Sequence, residues 1–283
     1  MMPSSAHGDP SPTTAPEGPR VYLCQVGDTL SCGACCGLYN VPGLSKDSLT
    51  AMLRHRTEAF SRIPRTVGDI DGFAEGFMGF SPPERPFPDF HHCPFVGLID
   101  GDRRVGCLLH PLAQGNAGVD WRGLSYYGGL ACASYFCPSS RRLPPKYLTI
   151  LKSAFSHWYD YGLMVTERRL IVAVFKTIEH RMGRSLADAD APHIAAVGSL
   201  LKDLSAIHAK WPYRRPDAPG PANYFFENGE YERALVHRQY DGLPASLYET
   251  IFRELESGFA SIADERRAEQ LLDTLFTRIP PIP

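Results

Sequence analysis

In the stretch Ser31-Cys32-Gly33-Ala34-Cys35-Cys36-Gly37, three of the eight cysteines fall within five residues. Two thiols separated by two residues can both turn toward one ion, because a tight turn brings their sulfur atoms within reach of a tetrahedral site. Gly33 and Gly37 suit such a turn, since glycine adopts a positive φ without steric cost. This stretch therefore predicts a metal site.

The neighbouring pair Cys35-Cys36 bears on the number of metals. In extended backbone, adjacent side chains point to opposite sides, which makes it difficult for both thiolates to bind one tetrahedral ion. The pair therefore favours two metals, such as two four-cysteine zinc sites, or a polynuclear cluster that the two thiolates reach from different sides. Thiolate-rich sites select zinc or iron-sulfur clusters, and the spacing alone leaves both open.

The composition of the chain predicts a globular, cytoplasmic protein. Its 283 residues are 43% hydrophobic, and its 29 basic and 31 acidic residues include no long run of one sign. This balance does not indicate a nucleic-acid surface. No apolar run approaches the roughly 20 residues that span a bilayer. Residues 1–16 lack the basic start and apolar core of a secretory signal, and we expect residues 1–19 to be a disordered lead-in.

Eight cysteines without a signal peptide predict reduced thiols used for metal or redox chemistry, with disulfides as the weaker alternative. An isolated cysteine, such as Cys24 or Cys137, is also compatible with an ordinary place in the core. Cys24 lies in a strand predicted over residues 20–26, which leads into the cysteine stretch. We therefore include Cys24 among the candidate ligands.

Two segments follow the cysteine stretch. Ser45 is a good N-cap for a helix predicted over residues 46–61. Residues 63–88 combine glycines, prolines and phenylalanines, and they are predicted to form a loop held by its aromatic side chains. Asp69 and Asp71 in this loop are candidates for a cation ligand or a general base, although a solvated turn is the commoner role of such residues.

The remaining cysteines lie between residues 93 and 137. Cys93 and Cys107 belong to two short strands around an Asp100-Gly101 turn, which predicts a hairpin like that of a zinc ribbon. Cys132 and Cys137 follow an aromatic, glycine-rich loop, and their spacing predicts one turn of helix with both sulfur atoms on one side. Four aromatic side chains are expected to shield the site from solvent: Tyr126, Tyr127, Tyr135 and Phe136.

From Leu143 onward, helical patterns dominate, and the predicted helices cover about residues 144–159, 167–182, 190–210, 245–259 and 264–276. The predicted fold is α+β. A small, irregular, cysteine-rich metal-binding domain with short hairpin strands occupies residues 20–143, and a mainly α-helical domain occupies residues 144–283. The helical half is the predicted region for a protein partner or substrate.

Cys32-Gly33-Ala34-Cys35-Cys36, together with Cys93-Pro94-Phe95, Cys107 and Cys132, gives the chain a family resemblance. Over about residues 21–138 it resembles the YkgJ-type cysteine-cluster family, described as a zinc- or iron-chelating domain. Carried over by position, the resemblance implies that the metal ligands are Cys32, Cys35, Cys36, Cys93, Cys107 and Cys132.

The chain departs from the family pattern at two places. The leading cysteine, Cys24, lies farther from Cys32 than is typical. The segment between Cys107 and Cys132 is longer, with His110-Pro111 in place of a tyrosine and without an Arg-Pro turn. Some proteins similar to this family are flagellin lysine N-methylases, but no residue of the chain is identified with methyl transfer.

Two hypotheses from different classes follow. The first is a structural or regulatory metal-binding protein, in which the metal folds the amino-terminal half. The second is an iron-sulfur enzyme or electron carrier. As an enzyme it would be an oxidoreductase or a protein-modifying, methylase-like enzyme, with its substrate under the aromatic loop of residues 116–135. The long loop favours the enzyme. The chain lacks common nucleotide-binding, metalloprotease and hydrolase motifs. A Cys-His nucleophile that uses His91, His92 or His110 is conceivable, but metal ligation explains the cysteines with fewer assumptions.

Overall fold

The computed structural model describes residues 22–41, 45–79, 92–218, 220, 226–227, 230–231, 233–241 and 244–279. The architecture over these residues is mixed α+β with a helical majority. The predicted lead-in over residues 1–19 and the ring of His91 lie outside the described residues. The predicted division between residues 143 and 144 stays a prediction.

The helices, in chain order, are α1 (Lys46–Ser61), α2 (Val67–Gly79), α3 (Gly128–Ser134), α4 (Pro138–Arg142), α5 (Pro145–Ala154), α6 (Trp158–Val165), α7 (Arg168–Met182), α8 (Ala191–Ala209), α9 (Glu249–Glu254) and α10 (Ile262–Phe276). The strands are β1 (Gln25–Val26), β2 (Leu30–Ser31), β3 (Val96–Ile99), β4 (Arg104–Cys107), β5 (Phe226–Glu227), β6 (Glu230–Tyr231), β7 (His237–Arg238) and β8 (Gly258–Phe259). They form two-stranded pairs in which β7 and β8 are parallel and the other three pairs are antiparallel.

Local signals set the boundaries of the best-predicted elements. The Ser45 hydroxyl accepts the Ser48 N–H at 3.1 Å, and the Ser48 hydroxyl accepts the Ser45 N–H at 3.2 Å, so a reciprocal capping box starts α1 as predicted. Gly183, at φ 69°, ends α7. Asp190 accepts the His193 N–H at 3.0 Å and starts α8. The β3–β4 hairpin also forms as predicted, with Val96 opposite Cys107.

The loop predicted over residues 63–88 is wrong over α2, and its residues 80–88 lie outside the described part of the chain. Ile70 and Phe73 are buried one helical turn apart, and the ring of Phe73 lies 5.1 Å from that of Phe60 on α1. This packing outweighs the low helix propensity of the glycines in α2. Asp69 is also explained, because its N–H donates to the Thr66 hydroxyl at 3.2 Å as part of the helix start. Asp69 thus lies in the first turn of a helix and not in the predicted solvated turn.

Two predicted helices are shorter than expected. The segment predicted over residues 144–159 divides into α5 and α6, because the His157 ring accepts the N–H of Tyr159 at 3.1 Å and caps a new helix. The segment predicted over residues 245–259 is helical only in α9, and the chain then turns at Glu256, whose φ is 57°, into β8. Pairing of β8 with β7 takes the place of the last helical turn.

Three clusters of buried apolar side chains form the core of the described residues. The largest joins α5 to α10 and includes Cys137. A second packs Leu38 and Tyr39, just after the cysteine stretch, against Trp158 and Leu163 of α6. A third surrounds Phe60 and Phe95 and includes Cys93. The cysteines therefore lie where the helical core meets the hairpins.

Candidate metal centre

The cysteine stretch folds into a short 3-10 helix, Ala34–Cys36. Gly37 follows it at φ 74°, and its N–H donates to the Ala34 carbonyl at 2.9 Å. This is the positive φ predicted for Gly37. Gly33 instead has φ −117°, and its small size is needed for another reason: a β carbon there would lie 2.9 Å from Val105 Cγ1 on β4. Gly33 therefore serves a close approach to the hairpin.

Cys24 and Cys32 are held side by side by the β1–β2 hairpin. Cys24 lies directly before β1, and its carbonyl accepts the Cys32 N–H at 2.9 Å. The Ala34 N–H points at the Cys32 sulfur from 3.5 Å, a contact typical of a backbone that wraps closely around a thiol. The hairpin is joined to β4 because the Ser31 hydroxyl accepts the Val105 N–H at 2.7 Å.

Cys137 is buried in the same cluster that contains Leu23 and Leu30 and against which Cys32 packs. The predicted helix shared by Cys132 and Cys137 is wrong. α3 ends at Ser134, Tyr135 is extended, and Cys137 is the extended N-cap of α4, ahead of Pro138. A residue that precedes proline is disfavoured in helical backbone, so the two cysteines lie on separate helices.

Cys36, Cys93 and Cys107 gather on the other side of the turn. The Cys93 N–H donates to the Cys36 carbonyl at 2.8 Å. The hairpin then returns, so that Cys107 at the end of β4 lies opposite Val96, three residues after Cys93. Cys36 and Cys107 both pack against the buried cluster that contains Cys93. One backbone contact and one hairpin thus bring three distant cysteines together.

Cys132 approaches this second group from α3. Its sulfur lies 3.1 Å from the Ser125 hydroxyl, which also donates to the Arg122 carbonyl. Trp121 and Leu124, from the same segment, pack against the cluster that contains Cys93 and Cys107. Cys132 is exposed. The segment therefore holds Cys132 at the surface, beside the hairpin cysteines.

Burial makes most of these thiols weak acids. Burial raises the pKa of Cys24 and Cys93 to about 12 and that of Cys107 and Cys137 to about 11. The pKa of Cys32 is also raised well above 9.0, mainly by burial. Without a metal these groups hold their protons at neutral pH, and metal binding has to displace them.

Cys35 and Cys36 contact each other. A hydrogen bond from Cys36 lowers the pKa of Cys35, and the same bond, together with burial, raises that of Cys36. The prediction that these two side chains point apart is therefore wrong. The physical reason is the backbone, which is a 3-10 helix and not an extended strand. The two sulfur atoms instead lie at the junction of the two cysteine groups.

All eight cysteines are free thiols, so the disulfide alternative is not realised. Among the residues that the structure describes, no group of three or more His, Cys, Asp or Glu side chains is placed to hold a metal ion. The thiols are neighbours and do not converge on one point. Their chemistry nevertheless fits zinc or an iron-sulfur cluster, since both are bound by four thiolates and the chain offers eight.

The nearby histidines have other partners. The two ring nitrogens of His92 lie 2.7 Å from the Gly37 carbonyl and 2.6 Å from Arg56. His110 accepts the Leu112 N–H at 3.1 Å through Nδ1. These contacts position the loops around the cysteines, and they give no support to a Cys-His nucleophile built on either residue.

Arg56 lies at the site but is not among the site residues predicted from the sequence. Its guanidinium is buried, donates to the Cys93 carbonyl at 3.3 Å, and has its pKa lowered to about 10 by burial. A signal was present in the sequence, because Arg56 falls on the same helical stripe as Leu49, Leu53 and Phe60. A charged residue on the apolar stripe of α1 indicates a buried polar contact.

Three of the four aromatic side chains that are predicted to shield the site are themselves exposed to solvent. Tyr126, Tyr127 and Tyr135 are 80%, 51% and 47% exposed. Phe136 contacts Tyr22 edge to face. A cavity of about 430 Å³ opens at the end of this loop, next to Cys137, and is lined by Ala131, Ser134, Tyr135, Phe136, Pro138, Arg141 and Arg142.

Comparison of the chain with family models, with curated proteins and with solved structures finds no match in any of the three. The resemblance to the YkgJ-type family stays a prediction from the cysteine pattern. In the part of the chain that the structure describes, no helix combines the length and apolar character needed to cross a bilayer.

Proposed function

We propose that this protein binds metal through its cysteines, as zinc or as an iron-sulfur cluster, and that the metal joins the amino-terminal hairpins to the helical half. One observation carries the proposal. Four separate segments, which begin near residues 24, 93, 107 and 132, deliver free thiols to the two sides of one turn, Ala34–Cys36.

Backbone contacts, and not the thiols themselves, hold these segments in place. The Cys32–Cys24 and Cys93–Cys36 hydrogen bonds fix pairs of cysteines, and the Ser31–Val105 bond fixes the two hairpins relative to each other. A preorganised set of thiols lowers the cost of ordering the ligands when the metal binds. The binding free energy of a structural metal, roughly 10 kcal/mol or more, would add directly to the stability of the folded hairpins.

The test is metal analysis of the full chain, purified without oxygen. We expect zinc or iron to copurify with the protein, and we expect Cys93→Ser to lose metal and the hairpin structure together. His180→Gln is the matched control, since His180 is an exposed residue of α7 in the helical half. A folded protein that contains neither zinc nor iron, with all eight thiols open to titration, would overturn the proposal.

The colour of the same sample separates the two metals. Iron-sulfur clusters bound by thiolates absorb visible light and make a protein brown, whereas zinc has a filled d shell and leaves it colourless. Colourless protein that contains zinc supports a structural or regulatory role. Brown protein that contains iron and sulfide supports redox or enzymatic chemistry.

The second candidate, an iron-sulfur enzyme, is favoured by the cavity of about 430 Å³ beside Cys137. Its lining includes Tyr135 from the aromatic loop and Arg141 from α4, which together offer a hydroxyl and a positive charge to a substrate. In this candidate, the cavity would bind the substrate of an oxidoreductase or of a methylase-like enzyme that acts on a protein partner. Protein that binds zinc alone and no iron would eliminate this candidate.

A further inference from the structure

We propose that the eight cysteines form two adjacent four-thiolate metal sites. The first consists of Cys24, Cys32, Cys35 and Cys137, and the second consists of Cys36, Cys93, Cys107 and Cys132. The inference rests on the proposed function, and it adds the number of sites and the division of the ligands between them.

The first set lies between the β1–β2 hairpin and the helical core. The Cys32 N–H donates to the Cys24 carbonyl at 2.9 Å, and this hydrogen bond holds the two residues together. Cys32 and Cys137 share the apolar cluster that contains Leu23, two residues before β1, and Leu30 of β2. One hairpin and the start of α4 therefore bring three cysteines to one side of the turn.

The second set lies between the turn and the β3–β4 hairpin. Cys36, Cys93 and Cys107 share the cluster around Phe60 and Phe95. Cys132 joins them through Ser125, in a segment whose neighbours Trp121 and Leu124 pack on the same cluster. These four cysteines supply a complete thiolate set without Cys35.

Cys35 completes the first set. Cys32 and Cys35 are separated by two residues, a spacing that lets two thiolates bind one ion. Cys35 lies in the 3-10 turn Ala34–Cys36, which begins two residues after Cys32. The second set already has four thiolates, so the division between the sets passes between residues 35 and 36.

Each set supplies all the ligands that one metal centre needs. A zinc ion that binds four thiols displaces four protons and leaves a site of net charge −2, with no ligand position open. A four-iron cluster likewise takes four thiolates. Because Cys35 and Cys36 are adjacent residues of one 3-10 turn, the two sites would lie side by side at the turn.

Metal stoichiometry and thiol mapping of the anaerobically purified full chain test the division. We expect two zinc ions, or two iron-sulfur clusters, per chain. Cys137→Ser is expected to keep one metal and to expose Cys24, Cys32 and Cys35 to alkylation. Cys107→Ser is expected to keep one metal and to expose Cys36, Cys93 and Cys132 instead, with mass spectrometry identifying the modified residues.

Stepwise chelation of the unmutated protein keeps the test independent of how the variants fold. We expect thiols to become reactive in two groups of four that match the two sets. One metal centre per chain, with all eight thiols protected and released together, would overturn the division and leave metal binding standing. Groups that mix the sets would also overturn it. Absence of any metal would overturn both the division and the proposed function.

Discussion

The hydroxyl of Tyr39 donates a hydrogen bond to the carbonyl of Tyr159 at 2.9 Å. Tyr39 lies three residues after Cys36, the last residue of the cysteine turn, and Tyr159 lies in the first turn of α6. Both side chains are buried, and their rings meet edge to face with centroids 6.1 Å apart. This contact joins the cysteine turn directly to the helical half, and it depends on a glycine.

Replacement of Gly162 on α6 by alanine is expected to destabilise the protein. A β carbon at this position would lie 2.2 Å from the Tyr39 hydroxyl oxygen, so the buried ring has to move and its bond to Tyr159 is lost. Overpacking of this kind costs about 1–3 kcal/mol, partly offset by about 1 kcal/mol of improved helix propensity. We expect chemical denaturation to show a net loss of up to about 2 kcal/mol.

Two variants check the cause of this effect. In Gly162→Ala combined with Tyr39→Phe, the clashing oxygen is absent, so the double variant should lose less stability than the sum of the two single variants. Gly198→Ala on α8 is the control, since its nearest neighbour is the Ala154 Cα at 3.7 Å, an ordinary contact. A loss for Gly198→Ala equal to that for Gly162→Ala would contradict the steric explanation.

Arg233→Met is expected to destabilise the helical half strongly. The guanidinium donates to Glu256 at 2.9 Å and to Glu167 at 3.2 Å, and all three side chains are buried. Removing the arginine leaves the buried carboxylates with less positive charge beside them, which costs about 3–5 kcal/mol. We expect denaturation experiments to show that the unfolding free energy falls by roughly 3 kcal/mol. This is the low end of the range, because His208 and Arg214 still lie beside the carboxylates.

An exposed ion pair on α10 provides the comparison. Arg266 contacts Glu269 at 3.0 Å and is 59% exposed, so Arg266→Met removes a pair that solvent already screens. We expect this control to change the unfolding free energy far less than Arg233→Met does. Similar losses for the two variants would show that burial does not give the Arg233 network its strength.

The stability of the protein is expected to fall as the pH decreases below about 6.5. Burial is the main cause that lowers the pKa of His208, and Arg214 and Arg233 add to it, while Glu167 opposes it. A histidine with a lowered pKa contributes stability above its unfolded pKa of about 6.5 and loses it as the pH falls, because the unfolded chain takes up the proton more readily.

His208→Gln should flatten this part of the pH profile, since glutamine does not titrate. The measurement is the unfolding free energy from denaturant titrations between about pH 7.5 and 5.5. At each pH, the free energy of the variant is subtracted from that of the unmutated protein, so that the contributions of other groups cancel. The exposed His180→Gln variant should keep the original slope. Identical slopes for His208→Gln and the unmutated protein would refute the assignment.

Local signals in the sequence predicted several elements correctly. The Ser45 cap fixed the start of α1, Gly183 fixed the end of α7, and Asp100-Gly101 fixed the β3–β4 turn. Each of these is decided by neighbours within four residues, through a hydrogen bond or a positive φ that few residues adopt. Such signals act in almost any tertiary context.

Other elements depended on distant contacts. α2 carries glycines that disfavour a helix, and it forms because Ile70 and Phe73 pack into the cluster around Phe60. The burial of Arg56 likewise depends on its contact with the Cys93 carbonyl, 37 residues away in the chain. A pattern within one segment does not contain the partner that decides its conformation.

The sequence by itself determined the chemistry that the site can offer: eight cysteines, three of them within the stretch from Cys32 to Cys36, and a glycine at residue 37 to close the turn. Only the tertiary structure decided which cysteines are neighbours. Cys24 meets Cys32, and Cys93 meets Cys36, because hairpins fold back and backbone hydrogen bonds form between segments far apart in the chain. The type of a ligand is a property of one residue, whereas the grouping of ligands is set by long-range packing.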